Sequence, residues 1–419
     1  MKMKLLPPGL SGAFMISLAL SGCIDPIPSE NDRIPDGVSY GPPLSEIAAI
    51  LAALPLETEH MSEVHHAVTS SSGNGYDEEY TMTDLFSVPG AGVGDSQLRT
   101  KSIPEFENPV SELIRDHLLS AFRTKSSAGN PGFETEEDID RYLQELASSD
   151  IQIYWPYSSE WKEGDGLPVI TFDPENESSS NTGYRISRTL DGKVKVDTVV
   201  VDEALAMEAP VWVVNRNSDG DYLSLEMIRQ LYPDWSLDGG DIVAAPSTRA
   251  AAGSAENAGR KVKTLVLKDF TMHRNYDSWF AGASEFFVKC GSVENFTAST
   301  EAELQLYSPS VTDFMIVVKR SQVGKPQPFN AVLISDWTDQ VDNCAFMIIE
   351  DDGGKQTSWE CTALVRIESK SYGIEIDLPF KTRDDIVWRG SLSARYLEAH
   401  SNVPENFGDV TVTFEIEEL

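Results

Sequence analysis

From Val262 to Leu419 the chain repeats one device: about nine short runs rich in Val, Ile, Phe and Leu, parted by Gly, Pro and Asp roughly every 8 to 15 residues. TLVLKDF, EFFVKC, DFMIVVKR, NAVLISDW, CAFMIIE and VTVTFEIEEL are typical of the set. Runs of this length with turn residues between them predict an all-β sandwich over residues 262–419.

Upstream the pattern is mixed. Ser45 to Leu56 (SEIAAILAALPL) begins an apolar helix. Asn108 and Pro109 form an N-cap and first-turn pair, and Val110, Leu113, Ile114, His117, Leu118 and Ala121 keep a 3.6-residue period behind them. Thr135, with Asp138 three residues on, starts a second helix whose stripe is Ile139, Tyr142, Leu143 and Leu146. IQIYW, PVITF, KVKVDTVVV and APVWVVN then read as strands. Residues 45–246 are therefore expected to form an α+β module. Residues 247–261 (STRAAAGSAENAGRK) lack large apolar side chains and read as a linker. In outline the C-terminal part is similar to C2-like or immunoglobulin-like sandwiches, a likeness of pattern only.

The first residues carry an address. Lys2 and Lys4 precede the apolar stretch Ala13 to Leu20, and the small residues Ser21 and Gly22 follow it, so residues 1–22 read as a signal peptide. The stretch is too short to span a bilayer, which takes about 20 residues. Leu20-Ser21-Gly22-Cys23 resembles the lipobox of bacterial lipoproteins. That resemblance implies that Cys23 becomes the acylated N-terminus, and two or more acyl chains make a lasting membrane anchor. The alternative is an ordinary cleaved signal that ends near a cysteine. Ile24, not aspartate, follows the cysteine, which by resemblance to Gram-negative sorting rules permits the outer membrane. Residues 23–44, rich in proline and without apolar period, are a flexible tether.

Acidic residues outnumber basic ones 67 to 33, for a net charge of −34. Such a field repels phosphate backbones, so nucleic acid is excluded as a partner. Hydrophobic content of 41% in 419 residues is ordinary for a chain of two or three folded domains.

Beyond Cys23 the cysteines are Cys290, Cys344 and Cys361. A two-residue turn at Asp352-Gly353 would set Cys344 opposite Cys361, Phe346 opposite Trp359 and Glu350 opposite Lys355. A Cys344–Cys361 disulfide is expected on that register, with two buried thiols as the alternative.

Among candidate sites, NRNSDGDYLSLE (Asn215 to Glu226) has the most specific spacing. It resembles an EF-hand loop, which implies calcium ligands at Asn215, Asn217 and Asp219, a backbone ligand at Asp221, a bidentate carboxylate at Glu226 and the sharp turn at Gly220. Asn215 replaces the usual aspartate, Leu223 holds the ninth position and a strand precedes the loop, so an Asp-Gly turn leading into a helix is the competing reading. HMSEVHH offers His60, Glu63, His65 and His66, but their helical spacing does not converge on one metal, and a solvated helix face is expected. Asp277 and the group Asp336, Asp339 and Asp342 could share calcium at one end of a sandwich; solvated loops are the commoner outcome. Tyr154, Trp155, Tyr157 and Trp161 read as core aromatics, with sugar stacking as the alternative. GAGVGDS (90–96) reads as a surface loop, and no catalytic nucleophile is defined.

These features imply a lipid-anchored bacterial cell-envelope protein that binds another protein or a glycan; no cofactor is required by them, and calcium is the one candidate. The second reading is a secreted hydrolase whose catalytic carboxylates lie in the α+β module.

Overall fold

The computed structural model describes residues 41–87, 104, 106–124, 132–176, 178–188, 194–217, 220, 222–232 and 263–418. The signal with Cys23, the tether as far as Tyr40, the 90–96 run and the 247–261 linker lie outside them.

The α+β module follows from two periodicities. Helices α1 (Leu44–Ala53), α2 (Thr58–Gly73), α3 (Met82–Leu85), α4 (Val110–Thr124) and α5 (Glu136–Ala147) place apolar stripes against one face of a sheet. The sheet comprises β1 (Glu79–Thr81), β2 (Ile151–Tyr154), β3 (Val169–Phe172), β4 (Ser180–Arg188), β5 (Val194–Asp202) and, after helix α6 (Glu203–Glu208), β6 (Val211–Arg216). Its order is β1-β2-β6-β3-β4-β5, with β3 and β6 parallel and the other neighbours antiparallel. Val211, Trp212, Val213 and Val214 do not alternate with polar residues because β6 is buried on both faces. Trp212 and Val214 pack toward the helices, Val211 and Val213 away from them. The expected cap of α5 forms: Thr135 Oγ1 accepts from Asp138 N at 3.2 Å, and Asp138 Oδ2 accepts from Thr135 N at 2.8 Å. His117, predicted within the α4 stripe, is half-buried and its Nε2 finds no hydrogen-bond partner among the described residues.

The sandwich follows as the spacing predicts. Helix α7 (Leu225–Leu231) leads into β7 (Lys263–Met272), β8 (Ser284–Ser292), β9 (Ser310–Val318), β10 (Gln327–Trp337), β11 (Val341–Glu350), β12 (Gln356–Ile367), β13 (Lys370–Lys381) and β14 (Asp385–Ser393). Helix α8 (Ala394–Ala399), β15 (Val403–Phe407) and β16 (Val410–Glu418) complete it. One sheet runs β10-β7-β16-β15, the other β13-β12-β11-β8-β9, with β14 also paired to β11. The inner faces meet through aromatic pairs, Phe270 with Phe286 at 5.0 Å and Phe346 with Phe414 at 5.2 Å between ring centroids.

The expected cysteine hairpin does not form. β11 and β12 pair only at Val341 with Val365 and Asn343 with Leu364, then part. From Asn343 to Glu350 the edge of β11 is taken by β14, so Cys344 lies opposite Leu392, while Cys361 lies opposite Ile376 of β13. The connection is no two-residue turn. Gly353 and Gly354 both have positive φ (73° and 104°), and Gly353 N donates to Asp351, whose carboxylate is held by Lys381 at 2.8 Å. Cys290, Cys344 and Cys361 are consequently free thiols, the first two buried. Thiol titration of the denatured Cys23→Ala chain should count all three without reductant. A count of one would restore the disulfide.

The loop between β7 and β8 joins the two modules. Trp279 and Phe280 enter the second face of the α+β sheet, among Tyr154, Val169, Val201, Val211 and Val213. Asn215 Nδ2 donates to the carbonyls of Phe280 (3.0 Å) and Ala281 (2.6 Å), and Ala283 N donates to Asp77 Oδ2 at 2.8 Å. Arg320, only 10% exposed, pairs with Glu203 of α6 at 2.6 Å and donates to the Asp277 carbonyl at 3.1 Å.

Candidate functional site

At the end of the sandwich nearest this loop, β8 begins, β11 ends and β14 begins, which brings acidic residues from separate segments together. Glu350, the last residue of β11, lies between Phe286 of β8 and Asp385 of β14 in the ladder. Asp277 approaches from the loop, and Glu285 comes from the start of β8, whose carbonyl accepts from Asp351 N at 2.9 Å. One carboxylate oxygen from each of Asp277, Glu285 and Glu350 lies within 4.8 Å of the other two. Glu350 is 0% exposed because strands flank it on both sides; among the described residues no amide, hydroxyl or basic donor reaches its oxygens, and its carboxyl hydrogen-bonds only with that of Asp277.

The electrostatics follow from that crowding. Burial, then the neighbouring Asp277 carboxylate, pushes Glu350 up to about 11. Burial raises Asp277 to about 6, and burial with Asp277 and Asp385 nearby raises Asp352 to about 7. Lys381 pairs with Asp351 and the Arg320 guanidinium with Glu203, while Arg320 partly offsets the rise at Asp277 and Arg383 that at Asp352. Like-charged carboxyls this close must either keep a proton or share a cation.

The EF-hand-like loop is brought together only in part. Asn215 and Asn217 turn their amide nitrogens to the protein, Asn217 Nδ2 donating to Glu79 (3.0 Å) and Gln152 (2.8 Å). The Oδ1 atoms of both are buried with no hydrogen-bond partner among the described residues. Glu226 lies in the first turn of α7, where Arg229 (3.3 Å) and Gln230 (3.5 Å) bind its carboxylate. Asp219 and Asp221 lie outside the described residues.

Asp277 does not share an end with Asp336, Asp339 and Asp342. That group precedes or opens β11 and Asp277 meets the strand's close, so the ten residues of β11, at about 3.3 Å each, separate them by roughly 30 Å. Asp339 instead pairs with Lys263 (3.1 Å) and Asp342 with Arg366 (3.5 Å).

The HMSEVHH face is not solvated throughout. His66 is exposed, but His60 and Glu63 are each 2% exposed. His60 Nδ1 accepts from Glu57 N, which leaves the proton on Nε2 to be donated to the Asn108 carbonyl at 3.1 Å. Glu63 accepts from the Tyr80 hydroxyl and from Val110 N, tying α2 to the start of α4. Tyr154 and Trp155 are core residues, as expected.

Sequence reasoning singled out Asp277 but missed Glu285 and Glu350. The available signal was an acid bordering each apolar run, Glu285 before FFV and Glu350 after FMII. Comparison with protein-family models, curated proteins and solved structures finds no match for this chain.

Proposed function

We propose that this chain is a lipid-anchored bacterial cell-envelope protein that binds another protein or a glycan and acts on neither. The lipobox-like Leu20-Ser21-Gly22-Cys23 supports the anchor. The binding role rests on one observation: among the described residues no strand pairs with the outer edge of β5 in the α+β sheet. β5 ends the strand order beyond β4, and Val200 and Val196, on one face of it, are 74% and 41% exposed. An edge strand with unpaired main-chain groups and alternate apolar side chains can add a strand from a protein partner. The buried acids of the same module support binding over hydrolysis, since they are engaged by the fold. Glu63 accepts from Tyr80 and Val110, Glu78 from Ser158 and Tyr157, and Asp77 from Glu78 and Ala283.

The test uses the full chain in a bacterial host supplied with labelled palmitate, with a photo-crosslinking residue at position 200. Label and membrane fractionation should both be lost in Cys23→Ala. Irradiation should give a discrete envelope adduct that is absent when the crosslinker is moved to exposed Leu306. A chain without label, or one that hydrolyses a broad panel of envelope substrates, would overturn the proposal.

A further inference from the structure

We propose that Asp277, Glu285 and Glu350 form a calcium site, separate from the Asn215–Glu226 loop, that locks the inter-module loop into the α+β sheet. This goes beyond the binding role above and needs neither the lipid nor the partner.

The donor set selects the ion. Three carboxylates are hard oxygen ligands, whereas softer metals are recruited by thiolate and imidazole. Calcium accepts six to eight oxygens at about 2.3–2.6 Å in irregular geometry, while magnesium demands a near-octahedral set at about 2.1 Å and gives up its waters reluctantly. Ligand oxygens that all lie within 4.8 Å of one another are close enough to converge on one calcium. Glu350 supplies the independent evidence. It is wholly buried, among the described residues no donor from outside the cluster reaches either oxygen, and it faces the two other carboxylates. A buried acid whose only hydrogen-bonding partner is another acid is costly, and a divalent ion would supply the missing positive charge.

The ligands also differ in what they hold. Glu285 and Glu350 sit on paired strands of one sheet, whereas Asp277 sits two residues before Trp279. A bound ion would therefore fix the start of the segment that carries Trp279 and Phe280 into the second module, and its occupancy would set how firmly the modules dock.

The experiment uses the full Cys23→Ala chain, stripped with chelator and dialysed against radioactive calcium. One calcium should bind this site with a dissociation constant near the 0.1–1 mM range typical, to order of magnitude (~), of extracellular modules, and magnesium should bind more weakly. Glu350→Gln and Asp277→Asn should each weaken that binding by about tenfold or more, and Glu226→Gln should leave it intact. Calcium should also slow hydrogen exchange at the Ala283 amide, which bonds to Asp77 across the junction. Absence of saturable binding up to about 10 mM, or binding that survives both substitutions, would overturn the site. Loss of the same calcium in Glu226→Gln would move it to the other loop. If Glu350→Gln does not fold, Asp277→Asn, at a half-buried position, decides alone.

Discussion

Phe280→Ala should cost about 3 to 5 kcal/mol and split one thermal transition into two. Phe280 is 0% exposed although it belongs to a connection between strands of the sandwich, because the module it fills is the other one. Its ring stacks on Trp279 with centroids 3.9 Å apart, and its carbonyl accepts from Asn215 at 3.0 Å. Truncation removes the ring from a slot walled by valines of β3, β5 and β6, which belong to a packed sheet and cannot close inward. The lost energy falls on the contact between modules, so each should then melt by itself. Calorimetry of the variant beside the wild type checks this. A single transition, lowered but undivided, would mean that the loop stabilises only the sandwich. Asn215→Ala should be strongly non-additive with Phe280→Ala, since both act on one contact.

Stability should fall as pH rises from 5 to 7.5 in the presence of chelator. Glu63 and Asp77 are 2% and 3% exposed, and burial pushes each up to about 7. For Asp77 the adjacent Glu78 adds to the effect, and for Glu63 the nearby Glu59 does, while Lys319 opposes it at Asp77. Both carboxyls bind their protons more tightly folded than unfolded. Their contribution is therefore complete below the unfolded range near pH 4 and is lost as pH passes through about 7. The displacement corresponds to at most roughly 3 to 4 kcal/mol for each group. His65 and His117, both lowered by burial, act in the opposite sense at the acid end. Urea midpoints at pH 5, 6 and 7.5 measure the trend, and Glu63→Gln, neutral throughout, should flatten it. Stability that climbs across this interval would rule out the assignment.

The elements that sequence resolved are those whose causes are local. Thr135 and Asp138 cap α5 through contacts three residues apart, and the runs that became β7 to β13 and β16 carry their apolar content within themselves, whereas β14 and β15 lie outside those runs. The hairpin at Cys344 failed because its rival was remote. Asp385–Ser393 pairs with β11 in place of its neighbour in sequence, and the glycines after Asp351 permit a wider connection than two residues. His60 and Glu63 looked solvated for the same reason, since their cover comes from Tyr80, Asn108 and Val110. The acidic site was legible only at Asp277. Nothing near Glu350 in the chain reveals that Glu285 lies beside it, because the antiparallel pairing of β8 with β11, across the intervening β9, β10 and their loops, brings them together.

The branching at β11 also sets an order of assembly. Its Asn343–Glu350 edge is completed by a strand that begins at Asp385, after the whole β12–β13 hairpin has been made. During synthesis NCAFMIIE therefore waits with one side unpaired, in a form that invites pairing with another growing chain. The hairpin meets that hazard in part by holding β11 at Val341 and Asn343. The segment beyond Asp385 is thus a late gatekeeper against self-association, quite apart from what the finished protein binds.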